Sequence, residues 1–166
     1  MLKARIAVFV SGGGTNLQAL LDAEKAGKLP SGEIALVVSN KAGVYALERA
    51  SAAGVESAVI PKKELGQAEF EKRLVALLEE KQIDLIVLAG FLCILSEDFV
   101  KRYPRRIINI HPSLIPAFCG DGYYGLRVHE EALKKGVKVT GATVHFVNEV
   151  TDGGEILFQK ARRCIW

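Results

Sequence analysis

Thiol chemistry has little to build on in this chain. Its cysteines number three, Cys93, Cys119 and Cys164, an odd count at wide spacing with no Cys-x-x-Cys pair. A disulfide framework needs an even, closely spaced set, so the pattern predicts reduced thiols and a cytoplasmic setting. The histidines His111, His129 and His145 do not join those cysteines at metal-ligand spacing, and no metal is expected. Long apolar runs are missing too. The longest, Leu85 to Leu95, falls short of the roughly 18 residues that read as a membrane span. Behind Met1-Leu2-Lys3-Ala4-Arg5, the stretch Ile6 to Val10 stops at Ser11, short of the roughly 7–15 apolar residues of a secretory signal. No export signal and no membrane partner are therefore expected.

Charge of one sign is scarce as well. Lys plus Arg number 22 and Asp plus Glu 19, a net charge of +3, too mild for a nucleic-acid-binding stripe and suited to anionic small molecules. The basic run Lys101 to Arg106 reads as a solvated helix end, so no nucleic acid is expected as a partner. There is no internal repeat, low-complexity tract or Pro/Gly linker. What is present is a globular balance, 49% hydrophobic and 25% charged over 166 residues, enough for a core of its own.

Short runs rich in Val and Ile alternate with helical periodicity. Arg5 to Val10, Ile34 to Ser39, Ala58 to Ile60, Leu85 to Ala89, Ile107 to Ile110, Thr143 to Val147 and Glu155 to Lys160 read as strands. Leu17, Leu20 and Leu21 mark one helix face, Phe70, Leu74, Leu77 and Leu78 another, and Val44 to Ala53 a helix closed by Gly54. Such alternation predicts an α/β fold, a single doubly wound, mostly parallel sheet with helices on both faces. One domain over residues 1–160 follows, with 161–166 as an atypical short terminus. The long irregular stretch His111 to Gly125 is of a length that is more often functional than idle.

Three places could hold chemistry. Ser11-Gly12-Gly13-Gly14-Thr15-Asn16 lies between the first strand and the first helix, where glycines and helix-start N–H groups suit a phosphate. It lacks the third Gly of a dinucleotide fingerprint and the Lys of a Walker loop. That leaves a monophosphate held by backbone amides, Thr15 and Asn16, or a helix-capping turn and nothing more. In Ile107-Ile108-Asn109-Ile110-His111, period two puts Asn109 and His111 on one face at a strand end. Together they could stabilise an oxyanion and move a proton, or merely satisfy loop backbone. Asp152, ahead of Gly153-Gly154, is either a turn former or a carboxylate brought to His111, favouring the charged ring. His145, mid-strand with Thr143, is either a satisfied core histidine or the lining of a secondary pocket.

In this order, Ser11-Gly12-Gly13-Gly14-Thr15-Asn16-Leu17-Gln18, Ser39-Asn40-Lys41, Leu88-Ala89-Gly90-Phe91, Asn109-Ile110-His111-Pro112-Ser113-Leu114, Gly141 to Val147 and Asp152-Gly153-Gly154 resemble the phosphoribosylglycinamide formyltransferase family. The likeness runs from about Ile6 to Gln159. It implies a Rossmann-like formyltransferase fold and transfer of a formyl group from 10-formyltetrahydrofolate, as co-substrate, to the amine of glycinamide ribonucleotide in purine synthesis. By position it implies Asn109, His111 and Asp152 as the catalytic trio and Gly14, Thr15 and Asn16 as the phosphate loop. Leu92, Cys93, Ile94 and Leu95, with Asn109, Val147 and Val150, match the folate-binding positions.

The chain also departs from the pattern. Cys93 stands where many relatives carry Arg, and Gln67 falls near an Arg that helps hold the phosphate in some relatives. After Lys160 the match dissolves into Ala161-Arg162-Arg163-Cys164-Ile165-Trp166, where the family continues into a helix that covers the sheet. The expectation is a chain apparently lacking that C-terminal helix. Two alternatives follow, a ligand-binding remnant of poor activity and a formyltetrahydrofolate hydrolase. Oligomeric state is not legible.

Overall fold

Strands buried on both faces read as unbroken apolar runs. The first, β1 (Ala4–Val10), ends in Ala7, Val8, Phe9 and Val10, all fully buried in the computed structural model, which describes residues 2–165. Met1 and Trp166, the two ends of the expected segments, lie outside the described residues. Two compact units divide the fold, Met1–Phe99 and Val100–Trp166.

In the first unit β1 pairs in parallel with β2 (Gly32–Ser39) and β4 (Leu85–Leu88), and β2 with β3 (Ser57–Val59). The helices α1 (Thr15–Lys25), α2 (Tyr45–Ala52), α3 (Lys62–Leu65) and α4 (Gln67–Glu80) connect successive strands. Alternation along β1 separates two faces. Val8 and Val10 pack with Val37, Leu17 and Leu21 of α1, and Ala46 and Ala50 of α2. Helix α4 buries Phe70, Leu74 and Leu78 of the stripe expected from the sequence, while its fourth residue, Leu77, is only partly buried. Because these strands are parallel, Val10, Ser39 and Leu88 end at one edge of the sheet. The segments that follow them, 11–14, 40–44 and 89–96, gather there. Helix α5 (Glu97–Arg102) crosses the boundary between the units.

The second unit holds β5 (Ile107–His111), α6 (Leu126–Lys135), β6 (Val139–Phe146) and β7 (Ile156–Arg163). Here the ladders β5–β6 and β6–β7 are antiparallel. Helix α6 buries Val128 and Ala132, carries Lys134 and Lys135 in its last turn and stops at Gly136, which favours both the dipole and the left-handed cap. Two strand boundaries move by more than two residues relative to the sequence reading. Strand β6 begins at Val139, four residues early, because Val139 to Ala142 lack the apolar alternation that signals a strand. Strand β7 runs on through Arg163, and all eight of its residues are exposed. Lys160, Arg162 and Arg163 suit such an edge, since charged side chains discourage further pairing.

Candidate active site

Register in the second unit assembles a cluster from two strands. Asn109 pairs with His145 and His111 with Thr143 across the β5–β6 ladder. Directly paired residues share a face, so all four side chains come to one side. The Asn109 Nδ2 lies 3.1 Å from the His145 Nε2. Thr143 Oγ1 donates to the Ser113 carbonyl at 2.7 Å and accepts from the Ile115 N–H at 3.0 Å, tying β6 to the start of the long irregular stretch. Gln159 of β7 donates to the same hydroxyl at 3.0 Å.

Asp152 arrives from the turn between β6 and β7. Its backbone is left-handed, with φ 53°, a region that Asp and Asn tolerate better than most residues. Gly154 makes the turn possible, because a Cβ there would lie 1.7 Å from the Phe146 carbonyl oxygen. One carboxylate oxygen sits 3.5 Å from the His111 Nδ1 and accepts from the Gly120 N–H at 2.9 Å. The other sits 3.6 Å from the His145 Nε2. His111 and His145 are buried, at 4% and 2% side-chain exposure, and Asp152 is nearly so at 9%.

Burial of this cluster is offset by pairing. Burial alone would raise the Asp152 carboxyl, yet hydrogen bonds from His145 and the Gly120 N–H, with the nearby imidazoles, hold it below its ordinary 3.8. Burial likewise would lower the His145 ring, but Asp152 and the Phe146 carbonyl raise it above 6.5. His145 Nδ1 donates to that carbonyl at 2.8 Å. Its Nε2 then has two uses. Neutral, it accepts from the Asn109 amide; charged, it donates toward Asp152 and the amide must turn. His111 is bracketed by acceptors, Asp152 on Nδ1 and the Phe118 carbonyl at 2.8 Å on Nε2. Both N–H groups of an imidazolium would have partners there. Two buried imidazoles flanking a carboxylate can move protons, and their N–H groups with the neighbouring amide can donate to an oxyanion.

In the first unit the loop after β1 is held from beneath. Gly14, with φ 74°, approaches α2 so closely that a Cβ would meet Ala46 Cβ at 2.6 Å. The Ala46 N–H donates to the Gly12 carbonyl, and Arg49 Nε donates to the Gly13 carbonyl at 2.7 Å. No side chain caps α1, and its first turn carries no acidic residue. Thr15 and Asn16 open that helix, so its leading N–H groups carry the partial positive charge that suits an anion. Ser11 Oγ donates to Asn40 Oδ1 at 2.7 Å and accepts from the Leu92 N–H at 2.9 Å. One hydroxyl thus links the segments after β1, β2 and β4.

The sequence profile of the family described as Formyl transferase matches residues 4–165. A phosphoribosylglycinamide formyltransferase of Haemophilus influenzae is 44% identical over 156 residues, 93% of this chain and 71% of that protein. The chain belongs to the formyl transferase family. The trifunctional purine biosynthetic protein adenosine-3 of Gallus gallus is 48% identical over 160 residues, but this chain spans only 15% of its length. The crystal structure of glycinamide ribonucleotide transformylase 1 from Symbiobacterium toebii superposes with a TM-score of 0.89 at 40% identity, covering 99% of this chain and 75% of that one. That likeness establishes the α/β, mostly parallel fold class expected from the sequence.

Within this formyl transferase fold the expected residues fall as follows. Asn109, His111 and Asp152 come together, and His145 and Thr143 join them rather than forming a separate pocket. Gly14, Thr15 and Asn16 sit at the start of α1. Gln67 Nε2 donates to Glu71 Oε1 at 2.5 Å and to the Ile94 carbonyl at 3.3 Å, which commits its amide to the segment after β4. In that segment Leu92 and Ile94 are exposed, Cys93 and Leu95 partly so, and burial pushes the Cys93 thiol up. The Val147 N–H donates to the Ile107 carbonyl and the Val150 N–H to Asn148 Oδ1, so both are used within the chain. Sequence reasoning missed Gly120, Phe118, Ser11 and Glu71. Ser11 and Asn40 stood inside quoted motifs, and their adjacency across neighbouring parallel strands was the available signal. Among the described residues no group of three or more His, Cys, Asp and Glu could hold a metal ion, and no helix is long and apolar enough to cross a membrane.

Proposed function

We propose that this chain transfers a formyl group from 10-formyltetrahydrofolate to the amine of glycinamide ribonucleotide. The observation that carries the reading is the buried His111–Asp152–His145 cluster with Asn109 alongside. Membership of the formyl transferase family, and the phosphoribosylglycinamide formyltransferases among its relatives, support the substrates.

In this reading the amine lone pair attacks the formyl carbon and the carbonyl electrons move onto oxygen. The Asn109 amide and the His111 N–H donate to that oxyanion, a preorganised stabilisation worth about 3–4 kcal/mol per donor in comparable acyl transfers. Collapse re-forms the carbonyl and breaks the bond to the folate nitrogen, which leaves with the electron pair and takes a proton. The amine gives up one proton in the same cycle, so none is consumed. Asp152 orients His111 through Nδ1 and balances the charge on its ring. Because the Phe118 carbonyl accepts from His111 Nε2, the oxyanion takes that carbonyl's place as acceptor.

Gly14, Thr15 and Asn16 take the ribonucleotide phosphate, with N–H groups of α1 as donors. Leu92 to Leu95 border the reduced folate. The phosphate loop favours ribonucleotide over water as acceptor, since water needs no anchor of this kind. Formylation assays on the wild-type chain and on His111→Ala and Asp152→Asn test the proposal. Loss of transfer in both variants supports it, and persistence in both rejects the mechanism.

A further inference from the structure

We infer that Glu71 is a positioning residue for the edge Leu92–Leu95, an assignment that rests on the folate reading of that edge. Residues 91–96 have neither helix nor strand to hold them. Backbone groups outside a ladder must find partners elsewhere or be solvated. Here side chains supply those partners. The Leu92 N–H donates to Ser11 Oγ, and the Ile94 carbonyl accepts from Lys62 Nζ at 3.0 Å and from Gln67 Nε2 at 3.3 Å. At the far end the Ser96 N–H donates to Glu71 Oε1 at 2.6 Å, and Ser96 Oγ donates to Glu71 Oε2 at 2.6 Å.

Glu71 is the hub of this arrangement. Its carboxylate accepts three short hydrogen bonds, two from Ser96 and one from Gln67 at 2.5 Å, each strengthened by the negative charge. Because Gln67 is held by Glu71 and itself holds the Ile94 carbonyl, one carboxylate controls two points of the segment. Ser96 in turn accepts from the Phe99 N–H at 3.2 Å, passing the restraint into the first turn of α5. What the clamp presents is apolar: Leu92 and Ile94 are 55% and 75% exposed although their backbone is pinned. A ring system laid on that edge would meet a surface whose ordering cost has already been met in the free chain.

The test uses the full chain and three variants, Glu71→Gln, Ser96→Ala and the double variant. Glu71→Gln turns an amide N–H₂ toward donors, so it breaks the hub while preserving shape. Hydrogen exchange of the peptide covering residues 91–97 should accelerate at least about tenfold in each single variant. Calorimetry with 5-formyltetrahydrofolate should show Kd about tenfold higher, while Kd for glycinamide ribonucleotide stays within about twofold. The double variant should be little worse than Glu71→Gln alone, since that change already removes the contact to Ser96 Oγ. Faster exchange with unchanged folate affinity would overturn the assignment, as would equal losses for both ligands. A wild-type chain that binds ribonucleotide but no folate overturns the underlying reading instead, and it does so before any variant is made.

Discussion

Replacing Ser11 by Ala removes one oxygen and strands two groups. Ser11 is 5% exposed; its hydroxyl donates to Asn40 Oδ1 at 2.7 Å and accepts from the Leu92 N–H at 2.9 Å. Asn40 is itself buried, so its carbonyl oxygen loses its donor without gaining water. A buried polar group left unsatisfied costs about 1–3 kcal/mol. The Leu92 amide is only part-buried and recovers some hydration, which brings the expected total to about 2–3 kcal/mol. For a chain of this length each kcal/mol moves Tm by about 2–4 °C, so the variant should melt about 4–12 °C lower. Urea unfolding with an unchanged m-value would show that the native state alone lost stability. The loss should be shared with Asn40→Ala, giving a coupling energy of about 1 kcal/mol in a double-mutant cycle. A destabilisation under about 0.5 kcal/mol, the level of an ordinary surface change, would refute the claim that this hydroxyl fastens three segments together.

Gly14→Ala drives a Cβ to 2.6 Å from Ala46 Cβ at a φ of 74°. It should cost about 1–3 kcal/mol of stability and weaken glycinamide ribonucleotide binding more than folate binding, as calorimetry would show. Gly154→Ala places a Cβ 1.7 Å from the Phe146 carbonyl oxygen, so the turn must open and carry Asp152 with it. Calorimetric unfolding should show a loss of about 3 kcal/mol or more, with kcat falling in parallel. Asp152→Asn should lower the NMR titration midpoint of His145, because burial would no longer be opposed by the carboxylate. In the wild-type chain the His145 contribution to stability is complete below 6.5 and is lost as pH rises through its raised folded midpoint. The Asp152 contribution is complete above 3.8 and is lost as pH falls through its lowered one.

Local patterns made the parallel half of the fold readable. The C-terminal parts of β1 and β2 are buried on both faces, which forces the unbroken apolar runs Ala7 to Val10 and Leu36 to Val38, and α4 shows its buried stripe at Phe70, Leu74 and Leu78. Period two was enough to place Asn109 and His111 on one face. By contrast, the start of β6 was hidden because Thr140, Gly141 and Ala142 carry no alternation. The end of β7 was hidden because exposed Lys160, Arg162 and Arg163 look like a tail. The finer site was less legible still. Its bonds join residues far apart in sequence, Ser11 to Leu92 across 81 positions and Glu71 to Ser96 across 25. A serine or glutamate has no pattern that announces such a partner. That Asp152 reaches both His111 and His145 follows from the geometry of one turn, which Gly153 and Gly154 suggest but do not specify.

Movement of a formyl group to a phosphorylated amine by Asn109, His111 and Asp152 is the central proposal. It is tested most directly by turnover of 10-formyltetrahydrofolate with glycinamide ribonucleotide, read as formylated product and tetrahydrofolate in equal amounts. The wild-type chain should turn over, and His111→Ala and Asp152→Asn should each lower kcat by about 10²–10⁴-fold. Formate released at the same rate with no ribonucleotide present, or full activity in both variants, would contradict it.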